Sequence, residues 1–173
     1  FSSFVSIPLN RNLKDISNLL SKLTVRRLFN FSKILCSYYL SRITGKANVS
    51  GMPVSISIEP TTSCNLRCPE CPSGLRAFSR PTGMLQPDFF EKVIDELSPD
   101  LLYLILYFQG EPYLNKNLFE MIRYASQKKI YTATSTNAHY LDDDNARKTI
   151  ESGLDRLIIS IDGTTQETYQ QYR

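Results

Sequence analysis

The spacing of apolar positions changes near residue 53. Before that point, apolar residues recur every three or four positions, which is typical of one face of an α-helix. The two helical faces predicted there consist of Leu13, Ile16, Leu20 and Leu23, and of Leu28, Phe31, Leu35 and Tyr38. Gly45 and the sequence Gly51-Met52-Pro53 interrupt this pattern. We therefore predict an amphipathic helical segment over residues 1–52 and a separate domain over residues 53–173.

Beyond residue 53, four short segments have the composition of β-strands. They span residues 54–58, 101–108, 130–135 and 156–161. The first alternates apolar and polar residues, and the second is apolar throughout, which is typical of a central strand covered on both faces. The last two are rich in β-branched residues, which favour strands. The pattern thus predicts a sheet of four strands.

Helical spacing fills the gaps between these strands, and recognisable signals mark the helix ends. Pro87-Asp88 opens the first helix, and the acidic run 142–144 opens a later one that ends at Gly153, a residue suited to left-handed backbone. The sequence Thr164-Thr165-Gln166-Glu167 has the pattern of a capping box. Because repeated strand–helix units require parallel strands, the carboxyl ends of all four strands should lie at one edge of the sheet.

Charge is divided unevenly between the two parts. Residues 1–53 contain eight Lys or Arg and a single acidic residue, Asp15, whereas the remainder contains twelve Lys or Arg and sixteen Asp or Glu. A basic amphipathic segment over residues 11–46 either packs against the domain, the more frequent case, or lies on an anionic membrane surface. No wider basic stripe indicates binding to nucleic acid.

Three of the four cysteines lie in one short loop directly after the first predicted strand. Cys64, Cys68 and Cys71 have the spacing CxxxCxxC. Three thiolates can ligate three irons of a 4Fe-4S cluster and leave the fourth iron open, as catalytic sites do. Structural zinc sites usually need a second ligand pair, and a domain of ordinary core composition needs no disulfide framework. Cys36 lies apart and is predicted to be a buried, unreactive thiol.

Polar residues also follow the other three predicted strands. They are Gln109, Gly110, Glu111 and Pro112 after the second strand, Ser135 and Asn137 at the third, and Ser160 and Asp162 at the fourth. Each group alone is compatible with ordinary turn chemistry. Ligands bind at the carboxyl edge of parallel α/β sheets, so the convergence of these groups with the cysteine loop predicts a single site.

These motifs, in this order, resemble the radical S-adenosylmethionine (radical SAM) superfamily over residues 53–173, and in detail the SPASM-type branch that modifies peptides or proteins. The resemblance implies an α/β fold, a partial (βα) barrel with four parallel strands, preceded by the basic helical segment. It also implies a 4Fe-4S cluster on the three cysteines, with S-adenosylmethionine chelated to the open iron. Reduction by a donor such as flavodoxin or ferredoxin would then yield methionine and a 5'-deoxyadenosyl radical that abstracts hydrogen from the substrate.

The resemblance also implies roles for the strand-end residues. The sequence Gln109–Pro112 occupies the family's Gly-Gly-Glu-Pro position near the amino group of S-adenosylmethionine, where Glu111 is either a charge-assisted acceptor or a solvated turn residue. The remaining cosubstrate contacts fall to Ser135, Asn137, Ser160 and Asp162. Two residues depart from the family pattern, because Gln109 replaces a glycine and Glu70 stands where an aromatic residue often flanks the adenine.

Four βα units are too few to close a parallel barrel. We therefore expect a partial barrel with one exposed sheet edge, and a region that reads the substrate beyond residue 173. The substrate class suggested by the resemblance is a peptide or protein, and the alternative function is a non-catalytic iron–sulfur or zinc-binding scaffold. A low-potential cluster with an open iron favours the reducing cytoplasm.

Overall fold

A computed structural model describes residues 9–173, with side chains from residue 13 onward. The first eight residues of the predicted N-terminal segment lie outside this range. Two helices, α1 (Leu9–Ser21) and α2 (Val25–Thr44), precede the first strand. The following elements are β1 (Ser55–Ser57), α3 (Pro72–Leu75), α4 (Pro87–Leu97), β2 (Tyr103–Ile105), α5 (Leu118–Gln127), β3 (Tyr131–Thr136), α6 (Asp143–Glu151), β4 (Arg156–Ile159) and α7 (Gln166–Gln170).

The four strands form one parallel sheet in the order β1-β2-β3-β4. Tyr103 of β2 lies opposite Ser55 of β1 and Tyr131 of β3, and Ala133 lies opposite Arg156 of β4. The predicted α/β class with four parallel strands is therefore confirmed. β2 and β3 are the central strands, and β1 and β4 are the edge strands in the described part of the chain. Ile159 of β4 is exposed.

The hydrophobic core lies between the sheet and helices α4 and α5. The two helices pack against each other and contribute the buried residues Phe90, Ile94, Leu118, Met121, Ile122 and Ala125. The segments around β2 and before β3 complete the core with Leu101, Leu104, Leu106 and Ile130. The apolar spacing that predicted these helices therefore also identifies the faces that pack.

The predicted helix ends agree with the structure, with one shift. The Asp142 side chain accepts a hydrogen bond from the Asn145 amide at the start of α6, and Gly153 beyond its end has a φ of 77°. At α7 the capping box is formed by Thr165 and Thr168, one residue later than the Thr164–Glu167 pattern indicates. A threonine hydroxyl at the third helical position replaces the predicted carboxylate, because the helix begins one residue later.

The N-terminal helices dock on the end of the sheet where the strands begin, and Arg27 of α2 is the central contact. Its side chain is 3% exposed and donates to the carbonyl oxygens of Ser98, Lys128 and Lys129. These carbonyls lie just beyond the carboxyl ends of α4 and α5, where helices leave unpaired, partially negative oxygens. Burial lowers the pKa of Arg27. One guanidinium therefore ties α2 to two core helices.

Other polar contacts hold the same surface. Asp15 of α1 accepts from the Tyr131 hydroxyl and pairs with Arg156 at 2.6 Å. The Asp155 carboxylate accepts from the Asn18 amide at 2.6 Å and lies 3.2 Å from the Lys22 ammonium. Because these partners lie at the starts of β3 and β4, the helices cover the edge of the sheet opposite the cysteine loop.

The N-terminal segment packs against the domain, which is the more frequent of the two predicted cases, but it does so through polar contacts and not through the predicted apolar faces. Leu23 is half-buried, but the other predicted face residues are exposed: Leu13, Ile16, Leu20, Leu28, Phe31, Leu35 and Tyr38. Cys36 is also exposed rather than buried. The side of α2 that faces the domain carries Arg27, Asn30 and Ser37. In the described part of the chain, no helix combines the length and apolarity needed to cross a bilayer.

Replacing Arg27 by Ala is expected to lower the free energy of unfolding by about 3 kcal/mol, because several buried carbonyls lose a charged donor at once. The matched control is Arg26→Ala, since Arg26 is the adjacent arginine but is exposed and pairs with Asp100. An exposed ion pair contributes little, so the control should unfold at nearly the wild-type urea midpoint. Equal midpoints for the two variants would contradict the central role of Arg27.

Candidate functional site

A cavity of about 300 Å³ opens at the carboxyl edge of the sheet and receives residues from the ends of all four strands. The predicted site residues that line it are Cys64, Cys68, Cys71, Gln109, Gly110, Glu111, Ser135, Asn137, Ser160 and Asp162. Pro112 is the exception, because it is buried at the start of a short 3-10 turn, Pro112–Leu114. Glu70 is exposed and does not line the cavity. The sheet thus brings together residues that are far apart in sequence.

The cysteine loop is shaped by its own backbone and by the short helix α3. The Cys71 amide donates to the Cys68 carbonyl at 3.2 Å, and α3 begins directly after Cys71. Gly74 of α3 packs on the loop so closely that a Cβ atom there would lie 2.6 Å from the amide nitrogen and from the carbonyl oxygen of Cys68. Glycine is therefore required where α3 supports Cys68.

The donor set of the cavity fits an iron–sulfur cluster. Cys64 and Cys71 are partly exposed and Cys68 is 5% exposed, so all three thiols border one cavity while two remain accessible. Burial raises the pKa of the Cys64 thiol, so iron binding would have to displace its proton. Among residues 9–173, no three His, Cys, Asp or Glu side chains converge on one point as a single ion requires. A cluster distributes its cysteine ligands over several irons.

The segment after β2 rests directly on the cysteine loop. The Gly110 amide donates to the Ser73 hydroxyl at 2.9 Å, and the Glu111 amide donates to the Ser63 carbonyl at 2.8 Å. Gly110 has a φ of 78°, and a Cβ atom there would lie 2.2 Å from the Thr61 carbonyl oxygen. Only glycine allows this contact without moving one of the two segments. The position of the cysteine loop therefore depends on the end of β2.

Glu111 is a buried link between the ends of β2 and β3. The side chain is 2% exposed, and one carboxylate oxygen accepts from the Thr136 hydroxyl at 2.7 Å and the Tyr113 amide at 3.2 Å. The other oxygen accepts from the Asn137 amide at 2.8 Å. The interpretation of Glu111 as a solvated turn residue is therefore wrong. Its carboxylate lies at the cavity wall, but its oxygens already accept hydrogen bonds from three protein donors.

The other strand-end residues present polar groups to the cavity. The Asn137 side chain donates to the Asn65 side chain at 2.8 Å, which connects β3 to the cysteine loop. The hydroxyls of Ser135 and Ser160 lie 3.2 Å apart, so β3 and β4 present adjacent hydroxyl groups. These hydroxyl and amide groups could bind the polar parts of a nucleoside or amino acid.

Arg173 is a cavity residue that the sequence does not reveal. Its guanidinium pairs with the Asp162 carboxylate and donates to the Cys68 sulfur at 3.3 Å. This contact joins residues 105 positions apart, and no local pattern links them. Asp162 therefore enters the site as half of an ion pair. Guanidinium N–H groups at the cavity wall can bind a carboxylate through charge-assisted hydrogen bonds.

Comparison with known proteins relates these features to a family. The family model described as the Radical SAM superfamily matches residues 58–173. AdoMet-dependent heme synthase of Methanosarcina barkeri (strain Fusaro / DSM 804) is 31% identical over 125 residues, which cover 72% of this chain and 36% of that protein. PqqA peptide cyclase of Rhodopseudomonas palustris is 30% identical over 118 residues, which cover 68% and 31%. The chain thus spans about a third of the length of these relatives.

Solved structures share the fold at lower sequence identity. SuiB of Streptococcus suis bound to S-adenosylmethionine aligns with a TM-score of 0.60 and 16% identity, covering 79% of this chain and 31% of that one. BtrN in complex with AdoMet and 2-DOIA aligns with a TM-score of 0.57 and 21% identity, covering 72% and 54%. The four parallel strands therefore correspond to part of a larger barrel.

The family match includes the cysteine loop, the carboxyl ends of β2, β3 and β4, and Arg173, which together line the cavity. Its members include enzymes, and membership implies a 4Fe-4S cluster and S-adenosylmethionine as cofactors. The boundary between residues 52 and 53 lies outside the match and stays a prediction. With the shared fold and the cysteine loop at its carboxyl edge, the chain belongs to the radical SAM superfamily.

Proposed function

We propose that the full-length protein is a radical SAM enzyme that reductively cleaves S-adenosylmethionine to a 5'-deoxyadenosyl radical and uses it to abstract hydrogen from a peptide or protein. The observation that carries the proposal is the single cavity that combines three thiols with polar groups from all four strand ends. The bound 4Fe-4S cluster would supply the electron that breaks the carbon–sulfur bond. The reductant would be flavodoxin or ferredoxin, and the compartment the cytoplasm.

The protein's own residues would hold and orient the cosubstrate. Cys64, Cys68 and Cys71 would bind iron, while the Gly110 segment, which lines the same cavity, would provide backbone carbonyls for an ammonium group. Arg173 presents N–H donors at the same wall and suits a carboxylate. The carbonyls would favour the ammonium group of an amino acid, and the Arg173 guanidinium would favour its carboxylate. The cysteine loop lies at the same end of the sheet. Holding the reacting atoms in a fixed geometry is a large contribution that such a site can make to catalysis.

The polar residues of β3 and β4 suit the nucleoside part of S-adenosylmethionine. The paired hydroxyls of Ser135 and Ser160 and the Asn137 amide offer donors and acceptors to ribose and adenine. The Asp162 carboxylate is already paired with Arg173. It can accept a hydrogen bond from a ribose hydroxyl only in addition to that ion pair. Gln109 adds a side chain at the rim, where its amide oxygen lies 3.4 Å from an Arg80 nitrogen.

The peptide or protein substrate is supported by relatives rather than by the cavity. One relative is named PqqA peptide cyclase, and another, 28% identical over 121 residues, is named mycofactocin maturase MftC, from Mycobacterium ulcerans. Substrate recognition in such proteins depends on parts outside the shared core, and fold alone does not define it.

The proposal is tested by anaerobic reconstitution of the full-length protein with iron and sulfide, reduction with dithionite and addition of S-adenosylmethionine. Mass spectrometry should then detect 5'-deoxyadenosine. A protein that binds iron, becomes reduced and yet releases no 5'-deoxyadenosine would favour the alternative, a non-catalytic iron–sulfur scaffold. A protein that binds zinc in place of iron would favour the zinc-binding form of that alternative.

A further inference from the structure

The side of α2 that faces away from the sheet is apolar and exposed. We define this outer face by Val25, Leu28, Phe29, Leu35, Tyr39 and Ile43, whose side chains are between 40% and 85% exposed. At 100° per residue, these positions fall within one half of the helix circumference. The outer face runs from the first to the last turn of a 20-residue helix. Ser32 and Cys36 also lie on this side and are exposed, so the outer face is an extended and predominantly apolar surface rather than a set of scattered single residues.

The opposite side of α2 packs against the domain and forms hydrogen bonds with it. Arg27 binds the carbonyls beyond α4 and α5, and the Asn30 side chain both donates to the Met52 carbonyl and accepts from the Met52 amide, each at 2.8 Å. Gly51 packs so closely on α2 that a Cβ atom there would lie 2.8 Å from the Ile34 side chain. These contacts fix the rotation of α2, so the outer face cannot turn inward without breaking them.

Cations border the outer face on both sides. Lys33 lies at one edge, where its ammonium sits 4.6 Å from the centre of the Phe29 ring, and Arg42 lies at the other edge, above the Tyr38 ring. The sequence of α2 contains no Asp or Glu. Within residues 13–173, neither Lys33 nor Arg42 forms an ion pair with a carboxylate. An apolar face between unpaired cations complements an apolar layer covered by negative head groups.

We propose that the outer face of α2 binds the surface of an anionic lipid bilayer. Apolar side chains would enter the boundary between head groups and acyl chains, while Lys33 and Arg42 contact lipid phosphates. A symmetric pair formed by two copies of this helix is a poorer fit, since it would place cations against cations at both edges. The proposal concerns attachment only and is independent of the chemistry in the cavity.

The docking geometry sets the orientation of the attached enzyme. The N-terminal helices contact residues at the starts of β3 and β4, such as Tyr131 and Arg156, whereas the cysteine loop lies at the opposite edge of the sheet. A bilayer on the outer face therefore leaves the cavity open to the aqueous phase. Substrate would reach the cavity from solution rather than from within the membrane.

The test is sedimentation of the full-length protein with phosphatidylcholine vesicles that contain or lack phosphatidylglycerol. We expect binding to the anionic vesicles at low salt and at least about tenfold weaker binding to the neutral ones, because two cations near the surface each favour anionic lipid. The double variant Phe29→Ser/Ile43→Ser should lose at least about tenfold in affinity for anionic vesicles. The variant Lys33→Gln/Arg42→Gln should lose the preference for anionic lipid.

The matched control is Phe89→Ser/Ile150→Ser, which changes the same residue types at similar exposure on α4 and α6. Its vesicle binding should equal that of the wild type. The proposal fails if the wild-type protein does not sediment with anionic vesicles, or if the two serine variants bind equally well. It also fails if the wild type is a dimer that only Phe29→Ser/Ile43→Ser dissociates, since the outer face would then be a subunit interface.

Discussion

Replacing Cys68 by Ala is expected to abolish 5'-deoxyadenosine formation by the full-length protein and to reduce its bound iron sharply. Cys68 is the most buried thiol of the cavity, and its sulfur accepts a hydrogen bond from Arg173. Loss of one of three cysteine ligands leaves two irons without a protein ligand instead of one. Iron content, visible absorbance and mass spectrometry of the reaction mixture measure the effect.

The control is Cys36→Ala, which removes an exposed thiol from α2. It should keep the wild-type iron content and product yield, because Cys36 lies on a helix that docks at the opposite edge of the sheet. Far-UV circular dichroism should be the same for both variants and the wild type, since each change removes only one sulfur atom. Equal iron content in the Cys68 and Cys36 variants would overturn the assignment of Cys68 as a ligand.

The strand and helix order of the domain could be predicted because each element carries its own local signal. The apolar run 101–108 predicts β2, one of the two central strands. The acidic run 142–144 marks the start of α6, with Asp142 as its N-cap. Parallel pairing then follows from connection length alone. The capping box at α7 lies one residue later than the sequence predicts, because Thr164 and Thr165 are chemically equivalent and only the backbone path distinguishes them.

The packing of the N-terminal helices could not be predicted in the same way. Amphipathic spacing identifies an apolar face but does not say whether that face meets the protein or another phase. Here Arg27 and Asn30 determine which side of α2 faces the domain. The carbonyl partners of Arg27 lie about seventy and one hundred residues away in sequence, and Asn30 binds the linker at Met52. Backbone carbonyls carry no sequence signature, so the sequence cannot show such contacts.

The cavity could be predicted in position and largely in composition, but not in its internal contacts. Parallel topology brings Cys68, Ser135 and Ser160 to one edge regardless of side-chain detail. The pairing of Asp162 with Arg173 and the burial of Glu111 depend on distances set by the folded sheet. Sequence position therefore predicts that a residue lies at the site, whereas its partners decide what it does there.

Two alternative roles of Glu111 can be distinguished experimentally, a link within the protein or an acceptor for the ammonium group of S-adenosylmethionine. Its three hydrogen bonds to Thr136, Asn137 and Tyr113 favour the link. Replacing Glu111 by Ala leaves these donors unpaired in a buried position, and each unpaired donor costs about 1–3 kcal/mol. We expect the free energy of unfolding to fall by about 3 kcal/mol or more, and cosubstrate cleavage to fall at least about tenfold as the cysteine loop loses its position.

The variant Glu111→Gln distinguishes the two roles. The amide keeps the shape and one acceptor oxygen but turns an N–H donor toward a protein donor, either the Asn137 amide or the Thr136 and Tyr113 pair. If Glu111 is a link, this variant should be destabilised and bind less iron, while its affinity for S-adenosylmethionine per bound iron stays near the wild-type value. The matched control Glu70→Gln changes an exposed carboxylate in the cysteine loop and should leave stability and iron content unchanged. A stable Glu111→Gln protein with full iron content but weakened cosubstrate binding would instead assign the carboxylate to the ammonium group, because only direct contact with the cosubstrate explains that result.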